Sequence, residues 1–194
     1  MSEINIGEES SVNPDPYPSR PPRYQFVTCV RDLCVGCQMC EFACAVVKEE
    51  AANILRSRIR LVRTEPVLMV SIACRACAEP ACVDICPQPG AMVINPENGL
   101  VMVDNSHCDG CAHCIDACPF GVIALNPDTK LAVICDLCED RAKGPACVEI
   151  CPKDALEIST PEIIAQKARK GALRQLLEEL AGLGSEAEQS AGRE

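Results

Sequence analysis

The chain has 194 residues, a formal net charge of −10 at pH 7 and 3% aromatic residues, with no tryptophan. This acidic composition argues against nucleic-acid binding, which requires clustered Lys and Arg, and no apolar run reaches the roughly 18–20 residues of a membrane span. Because large core-forming side chains are scarce, hydrophobic burial alone is expected to fold the chain poorly. The 17 cysteines point instead to metal binding, whose free energy can become folding free energy.

Residues 1–23 are predicted to form an extended, acidic arm. They contain five prolines and begin MSEINIGEESS, a composition typical of extended or disordered segments. A solvated tail and an arm that wraps a partner are both open interpretations. The start lacks the positively charged region and the apolar stretch of a secretory signal, so a cytoplasmic location is expected. Disulfides belong to oxidising compartments and are therefore not expected.

Residues 24–159 repeat one cysteine pattern. Sixteen of the cysteines fall into four sets in which three residues separate the third and fourth members, and three of the sets are followed by proline. This is the spacing of the bacterial ferredoxin run, so the sets are predicted to ligate four [4Fe–4S] clusters. The sets are Cys34, Cys37, Cys40 and Cys44; Cys74, Cys77, Cys82 and Cys86; Cys108, Cys111, Cys114 and Cys118; and Cys135, Cys138, Cys147 and Cys151.

Short apolar runs around the motifs predict β-hairpins. Runs at 59–62 and 67–72, at 91–94 and 100–103, and at 122–125 and 131–134 are separated by turn-forming residues. The repeating unit is predicted to be a strand, a cluster loop, a short helical turn and a second strand, which gives an α+β fold. The acid between the third and fourth cysteines of three sets (Asp84, Asp116 and Glu149) is expected to face solvent.

The segment 160–184 predicts an amphipathic helix. Thr160, Pro161 and Glu162 form a good helix start, and Gly182 and Gly184 are expected to end the helix, leaving 185–194 as a disordered tail. Leucines recur at helical spacing, at Leu173, Leu176, Leu177, Leu180 and Leu183. Packing of this leucine face on the cluster domain and docking to a partner subunit are both open.

Structural zinc is the main alternative for the cysteines. The set that begins at Cys135 fits a four-cysteine zinc site, but the compact sets do not, because zinc modules usually separate two cysteine pairs by a longer stretch. No catalytic residues are predicted, since the chain has no dinucleotide-binding, Walker or Ser–His–Asp pattern. His107 and His113 are interpreted as neighbours of the third set, and Cys29 as a buried strand thiol.

The motifs CVGCQMCEFAC, CRACAEPACVDICP, CDGCAHCIDACPFG and CDLCEDRAKGPACVEICP, with SRIRL at 57–61, resemble the four-cluster iron–sulfur electron-transfer subunits of the dimethyl sulfoxide reductase type. The resemblance covers residues 24–159 and implies two interleaved bacterial-ferredoxin-like modules, each with two [4Fe–4S] clusters. It also implies nested pairing of the motifs, first with fourth and second with third. The implied ligand sets are Cys34, Cys37, Cys40 and Cys151 for cluster 1; Cys135, Cys138, Cys147 and Cys44 for cluster 2; Cys74, Cys77, Cys82 and Cys118 for cluster 3; and Cys108, Cys111, Cys114 and Cys86 for cluster 4.

The same resemblance implies a non-catalytic electron-transfer subunit of an anaerobic oxidoreductase complex. Relatives of this type accompany molybdenum or tungsten formate dehydrogenases, aldehyde oxidoreductases, hydrogenases and carbon monoxide dehydrogenases, and SRIRL favours a tungsten-containing aldehyde oxidoreductase as partner. Cluster 1 would lie nearest the catalytic subunit and cluster 4 at the far end. The acceptor would be ferredoxin or a flavin or nicotinamide subunit. The alternative is a freestanding polyferredoxin that diffuses between enzymes.

Overall fold

A computed structural model describes residues 25–64 and 68–191, with side chains described up to residue 179. It shows a mixed α+β fold of short helices and two-stranded antiparallel sheets, as expected for the α+β class. The predicted arm at 1–23 lies outside the described residues. Among the helices that are described, none is both long enough and apolar enough to cross a membrane.

Three β-hairpins connect the motifs, as predicted. The pairs are β2 (Arg60–Thr64) with β3 (Leu68–Ile72), β4 (Met92–Ile94) with β5 (Val101–Val103), and β6 (Ala124–Leu125) with β7 (Ala132–Val133). In the last two turns, Oδ1 of Asn95 and of Asn126 accepts a hydrogen bond from the backbone N–H two residues on, at 2.9 Å in both. A short polar side chain at this position closes the chain locally, so the turns of these two hairpins are formed by neighbouring residues.

A fourth strand pair joins the two ends of the cysteine-rich region. β1 (Phe26–Cys29) pairs antiparallel with β8 (Leu156–Ser159), and Phe26 lies opposite Ser159. The apolar character of both strands is visible in the sequence, but their pairing is not, because no local turn connects them. This pairing brings the first and fourth motifs into one part of the molecule.

Each motif contains a helix that begins near its third cysteine. The helices are α1 (Met39–Glu49), α2 (Ala81–Asp84), α3 (His113–Ala117) and α4 (Ala146–Glu149). Proline after the last cysteine cannot continue a helix and keeps α2, α3 and α4 to about one turn. The first motif has Ala45 at that position, and α1 runs on to Glu49. Asp84, Asp116 and Glu149 are exposed, as predicted.

The helices pack in nested pairs. α1 packs against α4, and α2 packs against α3. Together with the β1–β8 pair, these contacts divide the cysteine-rich region into an outer half, residues 26–72 and 135–159, and an inner half, residues 74–133. The inner half is continuous in sequence, whereas the outer half closes around it from both sides.

The core consists of medium-sized aliphatic side chains and cysteine thiols. Val27, Ile59 and Val101 are among the largest fully buried side chains. They belong to one buried cluster that also contains thiols such as Cys74 and Cys135. Because the thiols form part of the core, the fold depends on what binds them.

The C-terminal helix α5 (Pro161–Ala191) is longer than predicted. It starts at the expected place, where Thr160 Oγ1 accepts a hydrogen bond from the N–H of Ile163 at 3.4 Å. The prediction that it ends at Gly184 is wrong, and 185–191 of the predicted tail are helical. An interior glycine costs only about 1 kcal/mol, and the surrounding Ala, Glu, Gln and Leu favour helix.

The leucines of α5 that the structure describes face away from the cluster domain. Leu173, Leu176 and Leu177 are 56%, 51% and 57% exposed. The interpretation that these three pack on their own domain is therefore wrong. Leu180 and Leu183 have side chains outside the described part of the chain.

Candidate metal centres

Three groups of four cysteines surround cavities. In each group, three thiols come from one motif and the fourth comes from another. Cys34, Cys37, Cys40 and Cys151 line one cavity. Cys74, Cys77, Cys82 and Cys118 line a second. Cys86, Cys108, Cys111 and Cys114 line a third. Lining by four thiols is the donor set that iron–sulfur clusters use.

The remaining four thiols of the four sets are Cys44, Cys135, Cys138 and Cys147. Cys44 lies close enough to influence the pKa of each of the other three, and Cys135 and Cys147 are also influenced by Cys74 and Cys40, respectively. Cys44 lies on α1 and Cys147 on α4, the two helices that pack against each other. This group again takes three thiols from the fourth motif and one from the first.

Burial makes several of the cysteine thiols hard to ionise. Burial, followed by the charges of Cys77 and Cys118, raises the pKa of Cys74 to about 11. Burial and the charges of neighbouring thiols also raise the pKa of Cys82 to about 12 and that of Cys147 to about 12. Such groups become thiolates when a metal centre supplies compensating positive charge, because a coordinating thiol is deprotonated outright. The residues present therefore fit a cationic sulfur-bound cofactor.

Short helices direct consecutive cysteines to different groups. Cys82, in α2, joins the group of Cys74, whereas Cys86 joins the group of Cys108. The same division applies to Cys114 and Cys118 around α3. Residues four apart project from the same side of a helical turn, and the chain leaves the turn at the following proline. One turn thus supplies two neighbouring groups.

The second residue between the first two cysteines has a left-handed backbone in all four motifs. The φ angles are 65° at Gly36, 45° at Ala76, 74° at Gly110 and 54° at Leu137. Residues other than glycine are strained in this region. At Gly110 there is also no room, since a Cβ would lie 2.4 Å from the carbonyl oxygen of Lys130. The four loops therefore share this backbone conformation although their sequences differ.

Hydrogen bonds reach several of the sulfurs. The backbone N–H groups of Arg58 and Ala155 donate to Sγ of Cys44 and of Cys151, each at 3.3 Å. Ser71 Oγ lies 3.4 Å from Cys40 Sγ. Hydrogen bonds of this kind stabilise sulfur ligands and adjust the potential of a bound cluster. Ser71 was not identified from the sequence, because its strand and Cys40 are far apart along the chain.

An ion-pair network lies beside the group of Cys44. Arg58 Nη1 is 2.8 Å from Asp136 Oδ2 and Arg58 Nη2 is 3.0 Å from Glu49 Oε1. Lys48 Nζ is 2.7 Å from the same Asp136 oxygen. Arg58 is the second residue of the SRIRL stretch, and it links the end of α1 to the fourth motif. These partners could not be identified from the stretch alone, because Asp136 is distant in the sequence.

Two groups reach the surface. Cys37 and Cys111 are exposed, whereas the other cysteines, all of which are described, are buried or half-buried. Cys37 belongs to the first group, and Cys111 belongs to the group that also contains Cys86. Electron transfer requires close approach of donor and acceptor, and these are the places where the thiol groups come closest to solvent.

Three further residues were identified from the sequence: Cys29, His107 and His113. Cys29 lies in β1 as predicted but is half-buried rather than buried, and burial raises its pKa to about 11. His107 Nδ1 is 3.0 Å from Asp104 Oδ2, and both side chains are exposed. His113 is exposed at the start of α3. Within the described chain, no three His, Cys, Asp or Glu side chains are arranged to hold a single metal ion.

Comparison with known proteins identifies relatives that are named as electron-transfer proteins. The family model of the 4Fe-4S dicluster domain matches residues 66–160. The thiosulfate reductase electron transfer subunit PhsB of Salmonella typhi is 37% identical over 135 residues, which cover 64% of this chain and 69% of that protein. The putative electron transport protein YsaA of Escherichia coli is 35% identical over 160 residues, covering 78% and 97%.

Other matches are more distant. A tetrathionate reductase subunit from Salmonella typhimurium is 31% identical over 142 residues, covering 67% of this chain and 56% of that protein. Among solved structures, the active site complex BamBC of benzoyl coenzyme A reductase aligns at 23% identity, covering 70% of this chain and 76% of that chain, with a TM-score of 0.41. A TM-score of this size is too low to establish a shared arrangement.

Proposed function

The chain belongs to the family of iron–sulfur electron-transfer subunits that carry the 4Fe-4S dicluster domain, and we propose that it conducts electrons along four clusters for a catalytic partner. Membership of this family confirms three predictions: electron transfer, [4Fe–4S] cofactors and the absence of substrate chemistry of its own. The number of clusters, their ligands and the identity of the partner are the proposal.

The proposed ligand sets are the four thiol groups. Cluster 1 is held by Cys34, Cys37, Cys40 and Cys151; cluster 2 by Cys44, Cys135, Cys138 and Cys147; cluster 3 by Cys74, Cys77, Cys82 and Cys118; and cluster 4 by Cys86, Cys108, Cys111 and Cys114. For clusters 1, 3 and 4, the observation that carries this assignment is the fourth thiol of each cavity, which comes from a different motif. For cluster 2, the packing of α1 on α4 supports it. When bound, a [4Fe–4S] cluster gains and loses electrons, while the protein fixes its position and surroundings.

The two halves of the cysteine-rich region are proposed to be two interleaved ferredoxin-like modules. All ligands of clusters 1 and 2 lie in the outer half, and all ligands of clusters 3 and 4 lie in the inner half. The packing of α1 on α4 and of α2 on α3 supports this division. Residues 24–159 then form one domain, with the arm at 1–23 and the C-terminal helix as additions.

The proposed partner is the catalytic subunit of an anaerobic oxidoreductase. PhsB and the tetrathionate reductase relative are named as parts of reductases, which supports a catalytic partner in general. The SRIRL stretch supports a tungsten or molybdenum subunit of the aldehyde oxidoreductase type in particular. Formate dehydrogenase, hydrogenase and carbon monoxide dehydrogenase are the other partners of this class, and ferredoxin or a flavin or nicotinamide subunit is the proposed acceptor.

The surface supports a subunit over a freestanding carrier. Exposed Cys37 and Cys111 give clusters 1 and 4 separate access to solvent, as a conductor between two proteins requires. The exposed leucines of α5 offer an apolar contact to a partner. A cytoplasmic location stays a prediction, as does the alternative of a freestanding polyferredoxin.

Anaerobic purification from the native source tests the proposal. We expect a brown protein with about 16 irons per chain that elutes in size-exclusion chromatography together with a larger, metal-containing polypeptide. A lone species of 20.8 kDa with the full iron content would favour the polyferredoxin alternative. About one zinc for every four cysteines, without iron, would contradict both.

A further inference from the structure

The residue that follows the first cysteine differs in charge among the four motifs. It is Val35 in the first, Arg75 in the second, Asp109 in the third and Asp136 in the fourth. All four precede the left-handed residue of the same loop, so they occupy equivalent places beside their thiol groups. The four groups therefore differ in the charge placed next to them, although their ligands are alike.

Arg75 is held in place by two aromatic rings. Its guanidinium carbon lies 4.0 Å from the centroid of the Phe26 ring and 5.9 Å from that of Phe120. Phe26 belongs to β1 and is 3% exposed, whereas Phe120 follows Cys118 by two residues. Arg75 and Phe120 line the same cavity as the thiols of cluster 3. Stacking on two rings fixes the cation beside this cavity.

The positive charge of Arg75 is not neutralised by a carboxylate. Across residues 25–64 and 68–179, no Asp or Glu oxygen forms an ion pair with it. Partial burial lowers the pKa of Arg75, and the charge of Cys77 acts in the opposite direction. An arginine nevertheless stays protonated in proteins, so a full positive charge remains next to the thiols.

At the other loops, Val35 is uncharged, and the charges of Asp136 and Asp109 have a weaker effect on the neighbouring thiols. Asp136 is paired with both Lys48 and Arg58, so its charge is compensated. Asp109 is exposed and accepts hydrogen bonds from Gln88 Nε2 at 2.7 Å and from the N–H of Cys111 at 3.0 Å. Solvent screens an exposed charge. Among the four positions, Arg75 is thus the half-buried charge that no carboxylate of the described residues compensates.

We propose that Arg75 raises the reduction potential of cluster 3. Reduction adds a negative charge to the cluster, and a fixed cation in a partly buried place stabilises the reduced form. The inference rests on the proposed function, because it takes Cys74, Cys77, Cys82 and Cys118 to be the ligands of cluster 3. Arg75 thus makes cluster 3 easier to reduce than the same cluster would be without this charge.

The test is an EPR-monitored redox titration of the intact, anaerobically purified protein, with iron content measured for every variant. The signal lost in a Cys82→Ser variant identifies cluster 3. In Arg75→Met, we expect the equilibrium constant for reduction of cluster 3 to fall about tenfold, which lowers its reduction potential by about 59 mV for a one-electron couple. The other clusters should keep their potentials. Arg75→Lys keeps the charge and should restore most of the difference, whereas Val35→Met is the matched control at cluster 1.

A second variant covers the case in which Arg75→Met fails to assemble cluster 3. Phe120→Leu leaves the charge in the chain but removes one of the rings that position it, and Phe120 is 42% exposed. We expect a smaller downward shift of the same signal. Full iron content with an unchanged cluster 3 potential in Arg75→Met, or in Phe120→Leu if the first variant does not assemble, would overturn the inference. An absence of clusters in the unaltered protein would instead contradict the proposed function.

Discussion

The outer and inner halves carry equivalent thiol groups but are held together by different means. The outer half contains one local hairpin, β2–β3, but it also joins segments from both ends of the cysteine-rich region, through the β1–β8 pair and through ion pairs such as Arg58–Asp136 and Lys48–Asp136. The inner half is built from hairpins between neighbouring residues and a close backbone approach of Gly110 to Lys130. Bringing distant segments together costs more loop-closure entropy than bringing neighbouring segments together. The partly buried ion pairs lie where the two segments of the outer half meet.

The largest effect is expected from breaking the outer network. Arg58→Met leaves Asp136 and Glu49 without the guanidinium that lies between them. The ion pairs are partly buried, and Lys48 still compensates Asp136 after the substitution. The cost is therefore expected to fall below that of breaking a fully buried pair, at about 2 kcal/mol. We expect clusters 1 and 2 to be lost at lower urea concentration than clusters 3 and 4, as followed by EPR and by visible absorbance under anaerobic conditions.

The matched control for Arg58→Met comes from the same stretch. Arg60 donates to the backbone carbonyls of Ile54 and Leu55, at 2.9 and 3.0 Å. Arg60→Met should therefore cost only about 1 kcal/mol. In the inner half, His107→Ala removes an exposed pair with Asp104 and should leave stability almost unchanged, because solvent screens such a pair. Equal early loss of all four clusters in Arg58→Met would contradict the division into halves.

A smaller effect is expected from crowding the inner half. Gly110→Ala places a Cβ against the carbonyl of Lys130, whereas Gly144→Ala has the same φ of 74° and nothing within 4 Å. The left-handed conformation costs each alanine about 1–2 kcal/mol, so any further loss in Gly110→Ala reports the close approach alone. We expect cluster 4 to be lost first in Gly110→Ala, measured as its EPR signal during urea titration. Matching behaviour of the two variants would show that the approach is not needed.

The smallest effect is expected outside both halves. Gly171 lies within α5, and a Cβ there would meet nothing within 4 Å. Gly171→Ala should stabilise the helix by about 1 kcal/mol and raise the helical signal in circular dichroism, with all four cluster potentials unchanged. A shift in any potential would show that α5 is coupled to the cluster domain.

The same contrast explains what the sequence could predict. The hairpins of the inner half follow from adjacent apolar runs and from turns that begin at Asn95 and Asn126, all of which are local signals. The β1–β8 pair and the Arg58–Asp136 contact join distant residues, and no spacing in the chain encodes them. The predicted end of α5 is wrong because glycine was given more weight than the helix-forming residues around it.

The candidate site also combines features that the sequence predicts with features that it does not. The cysteines and their spacing could be identified directly, whereas the nested pairing came from a family resemblance. Arg75 was missed although its signal is in the sequence, since aligning the four loops shows the charge difference at once. Its stacking on Phe26 could not have been found, because that contact depends on where β1 lies in the fold.

The most direct test of the central claim concerns thiols that cross between motifs. Cys147 and Cys151 belong to one motif, yet Cys151 is assigned to cluster 1 with Cys40, and Cys147 to cluster 2 with Cys44. In single cysteine-to-serine variants studied by EPR, we predict that Cys40→Ser and Cys151→Ser alter one signal, and that Cys44→Ser and Cys147→Ser alter a second one. Loss of the same signal in Cys147→Ser and Cys151→Ser, with the other signals intact, would contradict the account.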